Sequence, residues 1–125
     1  MKPKTMTNAD VEVMFRETFE ELIALRSIKS REYSDDGDAL ANFRRNAVDL
    51  EMPMETVWRV YASKHWDSIG NFIRDITNGK KRELSEPIEG RIHDMIVYLL
   101  LLKAMIKEKE DGGRGAEAPL QGAPP

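Results

Sequence analysis

A chain of 125 residues, 41% hydrophobic and 33% charged, is long enough to bury one core and has the composition of a soluble globular protein. It has no cysteine, which excludes a disulfide framework, a thiolate metal site and a cysteine nucleophile. A net charge of −3 removes the usual electrostatic basis for binding duplex nucleic acid.

In chain order the sequence reads as an all-α fold, a compact helical bundle of about four helices, with no convincing alternating strand. Residues 1–7, which lack the apolar stretch of a signal peptide, read as a flexible N-terminus. The first helix is expected over residues 8–30. Thr7 and Asn8 suit its cap and Asp10 and Glu12 its positive end, while Val11, Met14, Phe15, Phe19, Leu22, Ile23 and Arg26 trace one inward face. Gly37 and three aspartates then break the helix. Asp38 is placed to cap a short second helix, with Leu40, Phe43, Ala47 and Leu50 at i, i+3, i+7 and i+10. Pro53 starts a third helix, stopped by Gly79, whose apolar stripe is Val57, Trp58, Tyr61, His65, Ile69, Phe72 and Ile76.

The fourth helix opens at Ser85 and Glu86, with Pro87 in its first turn. Between Ile92 and Ile106 apolar residues cover nearly its whole circumference, the pattern of a helix buried among others. Its longest apolar run, residues 95–102, is too short to span a bilayer, so a cytoplasmic protein without a membrane partner is expected. Residues 8–110 read as a single helical domain. Residues 111–125, rich in glycine, proline and alanine, read as a disordered tail.

Four polar groups stand out. Arg91, Asp94 and Tyr98 fall at i, i+3 and i+7 on the apolar fourth helix. A carboxylate there must be paired, hydrogen-bonded or bound to a ligand, because desolvating it bare is prohibitive. A structural network and a ligand-binding wall, with Arg91 facing an anion, both fit that line. Glu17, Glu20 and Glu21 on the first helix can aim two carboxylates at one hard cation such as Mg2+, although such clusters are most often a solvated face. His65 lies on the third helix's apolar stripe, where a lone histidine is more often a satisfied core residue than a ligand or base. Its neighbour Lys64 has the reach to meet a phosphate. Lys29, Tyr33, Asp36, Asn42 and Phe43 surround the first loop, where packing explains the aromatics better than it explains Lys29 on an inward stripe. Glycine-rich phosphate loops, the HExxH pair and a nucleophile elbow are absent.

Several of these segments recur together in one family. Lys29 with Tyr33, the pair Asn42 and Phe43, Trp58, Tyr61, Lys64 and His65 in W-x-x-Y-x-x-K-H, and the run EPIEGRIHDMIVYLLLL resemble the nucleotide modification associated domain 1 family of small phage and bacterial proteins. The likeness covers roughly residues 12–107 and implies a role in phage nucleotide or DNA-base metabolism. More distantly, the layout is similar to the all-α nucleoside triphosphate pyrophosphohydrolases of the MazG and dimeric dUTPase type. Those enzymes hold magnesium with an E-x-x-E pair on one helix and an E-x-x-D pair on a later one. Glu17 and Glu20 match the first pair, but the second reads Arg91, Ile92, His93, Asp94. Replacing a glutamate ligand by arginine works against magnesium binding. Glu86 and Glu89 are the nearest substitutes.

The leading expectation is a protein that binds a nucleotide or other phosphorylated small molecule through Lys29, Tyr33, Asn42, Lys64, His65, Arg91, Asp94 and Tyr98. A diverged magnesium-dependent pyrophosphohydrolase would instead use Glu17, Glu20, Glu89 and Asp94 as metal ligands. A non-catalytic interaction protein would need only an exposed apolar patch, for which Trp66, Met52 and Met54 are candidates. The sequence leaves catalysis open. Self-association into a homo-oligomer is compatible with all three expectations.

Overall fold

The computed structural model describes residues 5–33, 37–84 and 86–114, with only the backbone described at 28–33 and 113–114. Four helices, α1 (Asn8–Tyr33), α2 (Ala41–Leu50), α3 (Met54–Thr77) and α4 (Ile88–Arg114), make the fold all-α, and no strand occurs among the described residues. By its internal contacts the chain divides into two compact units, Met1–Ala41 and Asn42–Pro125.

In the first unit α1 begins with a reciprocal cap. The Asp10 amide donates to Thr7 Oγ1 at 3.1 Å, and the Thr7 amide donates to Asp10 Oδ2 at 3.1 Å, which satisfies donors a helix start leaves orphaned. The helix runs to Tyr33, past the expected stop at residue 30, because Arg31 and Glu32 are good helix formers and the first breakers come later. The inward face expected of α1 is largely not inward. Leu22 is buried and Val11 half-buried, but Met14, Phe15, Phe19 and Ile23 are exposed. Periodicity shows that a helix has an apolar face; it does not show that the same chain covers that face.

In the second unit α3 and α4 pack against each other, and α2 joins them through Phe43. The buried centre is Phe43, Val57, Ala62 and Met105. The Phe43 ring lies 5.8 Å from that of Tyr61 on α3 and 6.2 Å from that of Tyr98 on α4. Arg44 of α2 clasps Glu108 of α4 with two hydrogen bonds of 2.9 Å. Lys109 near the end of α4 pairs with Glu55 in the first turn of α3 at 3.1 Å, so the two helices run antiparallel.

Two turns end helices in the same way. After α2, the Met52 amide donates to the Ala47 carbonyl and the Glu51 amide to that of Val48, with Glu51 at φ 53°. After α3, Lys80 donates to Asp75 and Gly79 to Ile76, with Gly79 at φ 62°. Both are Schellman endings, which require a left-handed residue; glycine adopts that conformation freely and glutamate pays for it.

The helix stripes are shorter than expected. Ile76 of α3 and Leu50 of α2 are exposed, and Asp75 takes the buried place at the end of α3. The helix α4 is not buried all round: Ile92, Leu99, Leu100 and Ile106 are exposed, and Met105 alone among its described side chains is fully enclosed. It also starts at Ile88, one residue after Pro87, and continues through Gly112 to Arg114, past the expected end at residue 110. The segments expected to be a flexible N-terminus and a disordered tail lie largely outside the described residues. None of the described helices is long and apolar enough to cross a membrane.

Candidate functional site

The polar line of α4 faces α3. Arg91, Asp94 and Tyr98 are three and four residues apart, which stacks them along one side of the helix. Across from them α3 contributes Trp58, Tyr61 and His65. The indole Nε1–H of Trp58 donates to the Tyr98 backbone carbonyl at 2.6 Å, 40 residues away in sequence, which locks the register of the two helices. The ring of Tyr98 lies 5.1 Å from the imidazole of His65, tilted by 39°.

His65 is 7% exposed and its Nδ1 lies 3.7 Å from Asp94 Oδ2. That separation is too long for a good hydrogen bond, and buried Nδ1 has no hydrogen-bond partner among the described residues. Burial pushes the imidazole pKa below its ordinary value. Asp94 and Glu86 oppose the shift, and the cations Lys64 and Arg91 reinforce it. The ring is therefore neutral at neutral pH, with one nitrogen able to donate and the other to accept. The Tyr98 phenol is pushed upward by burial, then by Asp94 and Tyr61, and stays protonated.

Arg91 and Asp94 are half-buried, with side chains 26% and 30% exposed, so the line is an edge that solvent reaches and not a sealed core. Arg91 Nε lies 3.2 Å from Glu86 Oε1 in the segment leading into α4. The arrangement thus alternates charge along one seam: Glu86, Arg91, Asp94 and then neutral His65 against Tyr98. It offers a guanidinium, a carboxylate, an imidazole and a phenol ring within one helix–helix edge.

The remaining expected residues fall elsewhere. Lys64 is exposed on α3, and its charge is felt at His65. Asn42 is exposed, and its side-chain oxygen accepts hydrogen bonds from Arg45 and Asn46 of its own helix. The side chains of Lys29 and Tyr33, and the whole of Asp36, lie outside the described residues. Glu17 and Glu20 are exposed on α1, in the first unit, while Glu89 is exposed on the first turn of α4. Among the described residues no three histidine or carboxylate side chains gather as a group able to hold a metal ion. Of the expected apolar patch, Trp66 is 64% exposed, while Met52 and Met54 are half-buried.

Two features escaped sequence reasoning. In the sequence Glu86 suits a helix start and a substitute metal ligand, yet in the structure it pairs with Arg91. Asp75 is buried at the end of α3 and paired with Arg82 at 3.1 Å across the Gly79 turn. A signal for the second existed: an aspartate next to the stripe, with an arginine seven residues on beyond a glycine stop.

No protein-family model matches the chain, and neither a curated protein nor a solved structure matches it.

Proposed function

We propose that this chain binds a nucleotide or related phosphorylated small molecule at the α3–α4 seam, and that Arg91, Asp94, His65 and Tyr98 form the contact surface. The observation that carries this reading is the buried Nδ1 of His65, unpartnered among the described residues and set beside Asp94 and the Tyr98 ring on a solvent-reached edge. A buried polar atom without a partner costs stability, and a ligand hydrogen-bonding there would recover that cost.

Each group has a role. Arg91 offers charge-assisted hydrogen bonds to a phosphate, and Glu86 is the anion it exchanges on binding. Asp94 accepts from a hydroxyl or a ring N–H of the ligand, and His65 supplies a neutral donor or acceptor. The Tyr98 ring offers a face for a planar base. Lys64, exposed next to His65, adds positive potential that favours an anionic ligand. The setting in phage nucleotide or DNA-modification metabolism rests on the sequence resemblance alone.

Thermal denaturation with nucleotides and deoxynucleotides, each with and without magnesium, tests the proposal. A ligand that binds only the folded chain raises the melting temperature, by several degrees at ~100 times its dissociation constant. A shift that needs no magnesium and is lost in Arg91→Ala is the expected result. No shift with any phosphorylated ligand overturns it. A shift that needs magnesium and comes with pyrophosphate release would replace it by the hydrolase reading.

A further inference from the structure

One exposed line of α1 carries an internal symmetry. Phe15, Phe19 and Ile23 stand at i, i+4 and i+8, one line along the helix, and are 56%, 49% and 66% exposed. Glu12 lies seven residues before Phe19 and Arg26 seven residues after it, both exposed and both at nearly the angular position of Phe19. Read outward from Phe19, the helix therefore presents an apolar residue at four positions and a charge at seven, in both directions. The charge is acid on one side and base on the other.

We propose that two copies of this chain associate through α1, antiparallel about a two-fold axis that passes at Phe19. A two-fold contact is isologous: whatever stands a given distance before the axis meets what stands the same distance after it on the partner. With the axis at Phe19, Phe19 meets its own copy, Phe15 meets Ile23, and Glu12 meets Arg26, twice over. A parallel pairing would set Glu12 against its own copy and Arg26 against its own copy. Glu12 has an intrahelical neighbour, Arg16, at 4.0 Å, but both are about three-quarters exposed, a weak tie that leaves the carboxylate available. Glu12, Glu17, Glu20 and Glu21, all exposed on α1, also disfavour the other usual occupant of an apolar helix face, an anionic lipid surface. The association is independent of ligand binding at the α3–α4 seam.

Because the chain has no cysteine, single cysteines report the geometry directly. Phe19→Cys is expected to give a disulfide-linked dimer on mild oxidation. Glu12→Cys alone should not, since the two copies of residue 12 would lie about 21 Å apart along the antiparallel helices. Glu12→Cys mixed with Arg26→Cys should cross-link. By light scattering after gel filtration the unmodified chain is expected to be a dimer, and Phe19→Asp, with helix content unchanged by circular dichroism, a monomer. Glu12→Arg and Arg26→Glu should each weaken the dimer a few-fold, and the double reversal should restore it. A monomeric wild-type chain, a dimer that survives Phe19→Asp, or self-cross-linking by Glu12→Cys would each overturn the proposal.

Discussion

The helices α1 and α3 carry apolar stripes of similar spacing, yet the stripes meet different fates. On α3, Val57, Ala62 and His65 are buried, and the rings of Phe43 and Tyr98 pack against those of Tyr61 and His65. On α1, Leu22 alone is buried among the described side chains, and Phe15, Phe19 and Ile23 stay open. A stripe that ends in a polar cluster is built to hold its own unit together around that cluster. The stripe that stays open, flanked by charges of opposite sign, is the one we propose a second copy covers. The difference separates apolar surface that folds the second unit from apolar surface that the first unit leaves exposed.

The largest expected effect breaks or upholds that contrast directly. Met105 is fully enclosed, so Met105→Ala should cost about 2–5 kcal/mol in urea denaturation. Phe15→Ala, measured at a concentration low enough to dissociate any dimer, should stay within about 0.5 kcal/mol of the parent. Equal costs would erase the distinction between the stripes.

The next effect belongs to the polar end of the α3 stripe. His65 has a folded-state pKa below its unfolded value, so under acid the unfolded chain takes up a proton that the folded chain refuses. Its stabilising contribution is therefore complete above the unfolded value of about 6.5 and is lost as pH falls below it toward the folded value. Denaturation curves between neutral pH and pH ~5 should show stability falling by up to about 1.4 kcal/mol per pH unit from this group. His65→Leu should remove that slope, and an unchanged slope in the variant would place the titrating group elsewhere.

A finer test compares the two Schellman endings. Gly79→Ala should destabilise by about 1 kcal/mol, since Gly79 has open space around it and the cost is conformational alone. Glu51→Gly should stabilise by a similar or smaller amount by relieving the same conformation. The smallest effect is at the helix ends. Glu55 has its pKa held down by a backbone hydrogen bond and then by Lys109, so its contribution is present above its usual range and lost as acid protonates it. With Lys109 largely exposed, Glu55→Gln should cost no more than about 0.5 kcal/mol at neutral pH.

Helix number and most helix starts were legible because caps are local. Thr7 with Asp10 and Asp38 with the Leu40 amide are short-range hydrogen bonds written in neighbouring residues. Arg91, Asp94 and Tyr98 were legible as a line because three and four residues make one helix face. Their partners were not legible. That Asp94 meets His65 and Tyr98 meets Trp58 depends on the register of two helices, which no local pattern encodes. The half-exposure of α4 was hidden for a similar reason: an all-round apolar helix reads as buried whether or not its own chain supplies enough neighbours.

The most direct test of the ligand site is a two-dimensional NMR titration of labelled protein with a nucleoside triphosphate. The His65 ring, the Trp58 indole N–H and the Arg91 Nε–H are expected to shift together and saturate, while Phe15, Phe19 and Ile23 hold still. Glu86→Gln, by removing a carboxylate that competes for Arg91, should tighten the apparent affinity. Shifts confined to α1, or none at millimolar ligand, would contradict the proposed site.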